Sequence, residues 1–300
     1  MSAEVAVPLE LDMSRGRRTL VWRDWVSLAK PRIVSLLVLC EAMTMIAAAR
    51  GLPSPGVLLA ALAGGALTAG GASAVNCWYD RDIDRSMRRT CDRPLPAGRI
   101  TASQALWFGG TLTAAGTLLL GFGANWLAAA LALGGAVFYA VIYTMVLKRS
   151  TPLNIVIGGA AGAFPPLVGW AAVQGTLAWP ALALFAVIFL WTPPHFWSLA
   201  LLLRRDYDSV NVPMLPSLIG ARRTHRRILL YIAALVFASE VPALAFGARY
   251  AIAATLLAAV YLGLGVWASL RRGPRAAVLL FHWSLAYLAL LFVAAAVAVG

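Results

Sequence analysis

A chain of 300 residues that is 61% hydrophobic and 12% charged, with a mean hydropathy of +0.79, is not an ordinary soluble domain. Its net charge of +13 would suit nucleic acid, but the placement of the basic residues explains that charge by membrane topology and makes nucleic acid an unnecessary partner. The three cysteines, Cys40, Cys77 and Cys91, show no CxxC spacing, so neither a disulfide framework nor a zinc site is indicated.

Residues 1–27 carry arginines together with Glu4, Glu10, Asp12 and Asp24 and have no apolar run, which predicts a cytoplasmic tail and not a signal or transit peptide. Residues 28–300 read as a single transmembrane domain. A helix needs about twenty apolar residues to span a bilayer, because its backbone polar groups must be satisfied within the segment. Nine such segments follow, at about 33–49, 55–77, 102–121, 125–147, 154–173, 180–203, 228–247, 250–270 and 276–299. The fold class expected is therefore all-α and integral to the membrane. With loops assigned alternately to two sides, all of the 25 Lys and Arg residues except Arg50 and Arg249 fall on the side of the amino terminus. That asymmetry supports nine helices in a multi-pass protein of the cell (inner) membrane, amino terminus cytoplasmic and carboxyl terminus on the outer face.

The second segment runs into "NCWYDRDIDRSMRRTCDRPLPAGR", residues 76–99, where charge is concentrated in an otherwise apolar chain. Asn76, Asp80 and Asp84 stand at i, i+4 and i+8 and form one stripe if the helix continues beyond the membrane surface. At an effective dielectric of ~20 and ~6 Å separation, the repulsion between the two carboxylates approaches ~3 kcal/mol. Something cationic should sit on the stripe. Neighbouring arginines are one candidate, although Arg81 and Arg85 project about 100° away. Mg²⁺ is the other, a hard ion that takes one or two carboxylates together with phosphate oxygens. Arg88, Arg89, Arg93 and Arg99 would then neutralise the remaining phosphate charge. "RPLPAGR" turns the chain, since two prolines and a glycine do not continue a helix.

After the fourth segment comes "LKRSTP", with Lys148 and Arg149; Tyr143 and Asn154 flank it and suit either a ligand contact or a turn. The sixth segment contains "TPPHFW", where a kink is expected at the prolines and His195 lies about 12 Å deep at 1.5 Å per residue. The loop after it, "RRDYDSVNVPMLPSLIGARRT", echoes the first: Asp206 and Asp208, then Pro213, Leu215, Pro216, Gly220 and Thr224. Two such loops could face each other across a central cavity. Glu41 and Glu240 are costly in lipid and suit a polar network between helices. His225 and His282 are expected in solvent.

NxxxDxxxD running into "RTCDRPLPAGRIT" resembles the first aspartate-rich motif of the UbiA superfamily of intramembrane prenyltransferases. Within it, "YTMVLKRSTPLNIVIGGAAGAFPPLVGW" (143–170) and "WTPPHFWSLALLLRRDY" (191–207) are similar to the protoheme IX farnesyltransferases. The resemblance implies nine helices around a central cavity with the active site toward the cytoplasm. It implies Mg²⁺-dependent transfer of farnesyl from farnesyl diphosphate to a vinyl group of haem B, with addition of water, giving haem O. On this resemblance Asn76, Asp80 and Asp84 are the catalytic metal-holding set, and Asp206 joins them from "RRDYD", a shortened form of the family's second DxxxD motif. Arg93, Lys148 and Arg149 carry over as diphosphate contacts, with Arg88 and Arg89 beside them. With haem as substrate, His195 becomes a candidate axial ligand to iron. Trp170, Trp191, Phe196 and Trp197 would house the isoprenoid tail. The implied partners are haem B, farnesyl diphosphate, the lipid bilayer and a haem-modifying or oxidase-assembly protein. The competing readings are a prenyltransferase of an aromatic acid or quinone precursor, and a polytopic transporter.

Overall fold

A computed structural model describes residues 21–271 and 273–299. Among them nine helices are long and apolar enough to cross a membrane: α1 (Pro31–Ala49), α2 (Pro55–Tyr79), α3 (Ala102–Gly123), α4 (Trp126–Ser150), α5 (Asn154–Gln174), α6 (Trp179–Leu202), α7 (Leu215–Phe246), α8 (Ala248–Arg271) and α9 (Pro274–Ala298). The tail expected over 1–27 lies outside the described residues as far as residue 20. Beyond that point Trp22–Leu28 is helical, and Leu28 is buried with Ala74, Cys77, Leu95, Ile100 and Ala105.

The helix starts follow from local chemistry. Proline occupies the first turn of α1, α2, α6, α7 and α9, where its missing N–H costs no intrahelical bond. Thr101 and Gln104 close a reciprocal cap at the start of α3. Asn125 caps α4 by accepting the Ala128 N–H (2.9 Å), and its Nδ2 donates to the Ala171 carbonyl (2.7 Å), which pins α4 to α5.

One boundary differs from expectation. α7 begins at Leu215 and not near 228, because a helix that continues outside the apolar layer leaves no mark in hydropathy. It departs from helical geometry at Gly220 (φ 75°, ψ 164°). Past that break Thr224, His225 and Ile228 are buried while Arg222, Arg223, Arg226 and Arg227 are exposed, the three-to-four-residue alternation of a helix with one wet face. His225 is therefore buried, against the expectation of a solvated ring, with Nδ1 2.8 Å from the Ala221 carbonyl. α6 runs as one helix across Pro193 and Pro194.

The α6–α9 side of the bundle buries Tyr250, Tyr261, Tyr287 and Phe292 completely. Trp107, Phe122 and Leu244 are exposed on the outside, as helices surrounded by lipid require. α2 and α3 meet through small residues. A Cβ added to Gly71 would lie 2.5 Å from the Gly109 carbonyl oxygen, and one added to Gly116 would lie 2.5 Å from that of Gly64. Such backbone contact between membrane helices relies on van der Waals packing and fixes α2, which carries the acidic stripe.

Candidate functional site

The stripe survives the end of α2. The Asp80 N–H donates to the Asn76 carbonyl and the Asp84 N–H to the Asp80 carbonyl, both at 2.9 Å, so the i, i+4 repeat continues into the short helix Arg81–Ser86. Asn76, Asp80 and Asp84 are 4%, 2% and 4% exposed. Three buried polar side chains in a row at the mouth of an apolar bundle demand partners.

Those partners are cations from other elements. Lys148 Nζ donates to Asp80 Oδ2, and Arg149 Nη2 reaches Asp80 Oδ1 at 3.5 Å. Arg93 Nη1 donates to Asp84 Oδ2 at 2.7 Å, while the Thr90 hydroxyl donates to the Asp84 carbonyl. Lys30 Nζ donates to Asn76 Oδ1. The Asn76 amide in turn donates to Asp80 Oδ2 (2.8 Å) and to Thr144 Oγ1 (3.1 Å). The two acids thus hold three positive groups and the Asn76 amide oxygen a fourth.

Local backbone geometry delivers them. Lys30 is in the left-handed region (φ 51°, ψ 59°) immediately before Pro31, a conformation that strains a residue with a Cβ and that its buried contacts with Asn76 and Tyr139 maintain. In α4 the stretch Phe138–Leu147 winds as a π-helix, with the Thr144 hydroxyl returning to the Tyr139 carbonyl at 2.8 Å. That wider turn presents Tyr139 and Thr144 to the Lys30–Asn76 pair, and Lys148 and Arg149 to Asp80 and Asp82. Asn154 braces the following turn by donating to the Lys148 carbonyl at 3.2 Å. Arg149 also donates to both oxygens of Asp82 (2.7 Å each), which lowers the Asp82 pKa to about 2, and its guanidinium lies 4.8 Å from the Tyr79 ring centre.

The other expected residues divide. Arg88 and Arg89 are exposed at the rim with no acid partner among the described residues. Arg99 is committed elsewhere: it pairs with Asp24 (3.0 Å) and donates to the Asp92 carbonyl, tying the Trp22–Leu28 helix to the loop. Arg81 donates to the Trp78 carbonyl and lies over the Trp78 ring, away from the stripe as its helical position requires. Asp206 sits half-buried in the short helix Arg204–Asp208, and Asp208 pairs with Arg204 at 3.5 Å in the open. Among the described residues no three His, Cys, Asp or Glu side chains converge on one point. The two loops do approach one another. Buried Tyr207 feels Arg89, Arg93, Asp206 and Asp80 electrostatically, with burial raising its pKa and the two arginines opposing that rise.

Deeper in the bundle His195 stacks between Trp191 (ring centres 4.3 Å apart) and Phe281 (4.8 Å), with Nδ1 2.6 Å from Ser284 Oγ. Lys30, Thr144 and Ser284 are the residues that the motifs did not single out.

A buried set of two carboxylates and an amide oxygen is a hard donor set. Ammonium and guanidinium groups already lie against it, so both its chemistry and its charge suit Mg²⁺. The same cations supply what an oxyanion leaving group needs.

Known proteins resemble this chain in sequence and in fold. The chain is 46% identical to the protoheme IX farnesyltransferase of Paenarthrobacter aurescens, over 97% of this chain and 93% of that protein. It is 47% identical to the protoheme IX farnesyltransferase of Frankia casuarinae, over 92% of this chain and 97% of that protein. In three dimensions it is similar to a UbiA homologue from Archaeoglobus fulgidus solved bound to DMAPP and Mg²⁺, with a TM-score of 0.65 and 16% identity over 88% of this chain and 99% of that one. Residues 36–291 match the UbiA prenyltransferase family, so the chain is a multi-pass membrane protein that belongs to that family.

Proposed function

We propose that this protein transfers the farnesyl group of farnesyl diphosphate to a vinyl group of haem B. Water adds to the adjacent carbon, and the products are haem O and diphosphate. The observation that carries this reading is the buried Asn76–Asp80–Asp84 stripe, held by Lys30, Lys148, Arg149 and Arg93. The close relatives named protoheme IX farnesyltransferase support haem as the acceptor.

Asn76, Asp80 and Asp84 would hold Mg²⁺, with Asp206 the further acid on the facing loop. When bound, the ion supplies Lewis-acid neutralisation of the diphosphate. Lys30, Lys148, Arg149 and Arg93 become available to the diphosphate oxygens once the acids are otherwise engaged, and Arg88 and Arg89 guide the anion at the rim. These charges are fixed before reaction in a site largely shielded from water, where they favour charge developing on the leaving oxygen. The allylic carbon–oxygen bond breaks, the vinyl terminus bonds to the allylic carbon, and the new cation beside the macrocycle takes a hydroxyl from water, releasing one proton. Trp191 and Trp197 are buried and Trp170 and Phe196 half-buried, an apolar lining that keeps water from the allylic cation until the vinyl group has reacted. His195 contacts the haem. The stripe faces the cytoplasm, by the bias of basic residues to that side.

The test is mass spectrometry of haem extracted after purified full-length protein is incubated with haem B, farnesyl diphosphate and Mg²⁺. The expected result is a hydroxyethylfarnesyl haem that requires Mg²⁺. Unmodified haem beside prenylated 4-hydroxybenzoate in a parallel reaction would assign the acceptor to the aromatic-acid class instead.

A further inference from the structure

The hydrogen bonds around His195 determine which ring nitrogen carries the proton. Ser284 Oγ lies 2.6 Å from the Phe281 carbonyl and 2.6 Å from His195 Nδ1. A carbonyl oxygen only accepts, so with both contacts made as hydrogen bonds the single hydroxyl proton of Ser284 goes to Phe281. The Ser284 oxygen then accepts from His195, which assigns the neutral ring as the Nδ1–H tautomer and leaves the lone pair on Nε2. Among the described residues Nε2 makes no hydrogen bond, and it is not one of the sealed polar atoms without a partner there, which include Trp197 Nε1 and His225 Nε2.

The ring is also held in orientation. Trp191 and Phe281 cover its two faces at interplanar angles of 14° and 24°. Trp191 Nε1 donates to the Ser284 carbonyl at 2.7 Å, so one residue of α9 anchors both aromatic partners of α6. A half-turn of the imidazole would forfeit the Ser284 bond. Ser284 is completely buried and forms this anchor through both its carbonyl and its hydroxyl. A histidine with Nδ1 donating to a fixed acceptor and Nε2 bare is the arrangement in which imidazole binds a metal, because the second hydrogen bond sets the tautomer and raises ligand basicity.

We infer that Ser284 is a positioning residue that holds His195 as an Nε2 ligand to the iron of the porphyrin substrate. The inference rests on haem being the acceptor, as proposed above. Ligation at this point fixes the macrocycle at one atom, so the distance of its vinyl edge from the allylic carbon depends on where Ser284 holds the imidazole. Axial ligands tune haem iron through exactly such outer contacts, and losing one typically costs about 10- to 100-fold in metal affinity.

The experiment titrates detergent-solubilised full-length protein with ferric haem and follows the Soret band and the low-spin signal in electron paramagnetic resonance. His195→Ala is expected to lose the nitrogen-ligand signature and to regain it when imidazole is added. Ser284→Ala, which deletes one buried oxygen without adding bulk, is expected to keep that signature at saturating haem while binding about 10- to 100-fold more weakly. Ser284→Thr restores the hydroxyl and is expected to recover most of the affinity, an outcome a purely structural serine would not give. Wild-type affinity in Ser284→Ala, with His195→Ala altered, overturns the positioning role. An unchanged spectrum in His195→Ala overturns the ligation. If the wild-type protein neither binds nor farnesylates haem, the functional reading itself has failed, and that result is distinct from the other two.

Discussion

The two acid-bearing loops at one end of the bundle share residue types and differ in what holds them. In the first, Asp80 and Asp84 are buried and paired with cations from α4 and from their own loop. In the second, Asp206 is half-buried and Asp208, among the described residues, pairs with Arg204 alone, at 3.5 Å with both side chains nearly half exposed. The comparison teaches that burial, set by the helix that presents the acid, makes the difference. The stripe starts on α2, whose backbone is pressed against α3, and runs on into the helix Arg81–Ser86, whereas Asp206 and Asp208 ride the five-residue helix Arg204–Asp208. An acid on the second loop can change its partner at little cost. An acid on the first leaves a cation stranded if it is removed.

Removing each acid in turn should give the largest effects. Asp80→Ala is expected to lower farnesyl transfer by about 10²–10³-fold or more, the range for deleting one preorganised charge-stabilising group. The same change leaves Lys148 unpaired in a buried site, a situation that typically costs about 3–5 kcal/mol of stability, so thermal melts and the isosteric Asp80→Asn must accompany the assay. Asp206→Ala should stay within about tenfold of wild type and leave the melting temperature unchanged, as surface-type substitutions do. Equal losses at the two positions would mean that the loops form one symmetric metal site and that the difference in burial is incidental.

How much of this was legible beforehand follows the same division. The stripe could be read because a helical repeat of like charges is a contradiction unless something cationic answers it, and the nine spans could be read because lipid imposes length and composition. The answering cations were only partly visible. Lys148 and Arg149 stood out in a short loop, but Lys30 lies 46 positions from Asn76 and its sole local signal is a lysine placed before a proline. Arg99 looked like one more phosphate contact because nothing local announces Asp24 as its partner. Ser284 was missed because a single serine in an apolar helix is silent until the facing histidine is known. The early start of α7 and the burial of His225 escaped for a related reason: hydropathy measures the lipid layer and is blind to packing beyond it.

The α2–α3 contact offers the next sharpening. A Cβ at Gly71 would meet the Gly109 carbonyl oxygen at 2.5 Å, and backbone cannot step aside as a side chain can. Gly71→Ala is therefore expected to cost about 1–3 kcal/mol, the usual range for overpacking, and to lower activity by tilting the stripe away from Lys148. Gly98, which turns the first loop at φ 72° with open space around it, makes a good contrast. Gly98→Ala carries only the left-handed backbone penalty of about 1–2 kcal/mol and should spare the stripe's geometry. Melting temperatures with parallel assays would separate the two. A fully active Gly71→Ala protein would show that the stripe does not depend on this helix contact.

The smallest effect concerns Asp82, an acid of the first loop that faces water. Two hydrogen bonds from Arg149 hold its pKa at about 2, below the ordinary value of 3.8. A carboxylate lowered in this way contributes stability that is fully present above the unfolded pKa and disappears as pH falls through the folded one. Asp82→Asn should therefore melt slightly below wild type at pH 7, and the gap should close between about pH 4 and pH 2. With 60% of the Asp82 side chain exposed, solvent screens the pair and the gap should stay under about 1 kcal/mol. Because Arg149 also reaches Asp80, freeing it from Asp82 lets it settle on the stripe, so activity should change less than about threefold, the equivalent of well under 1 kcal/mol. A large activity loss with this small stability loss would move Asp82 from the wet rim into the working part of the site.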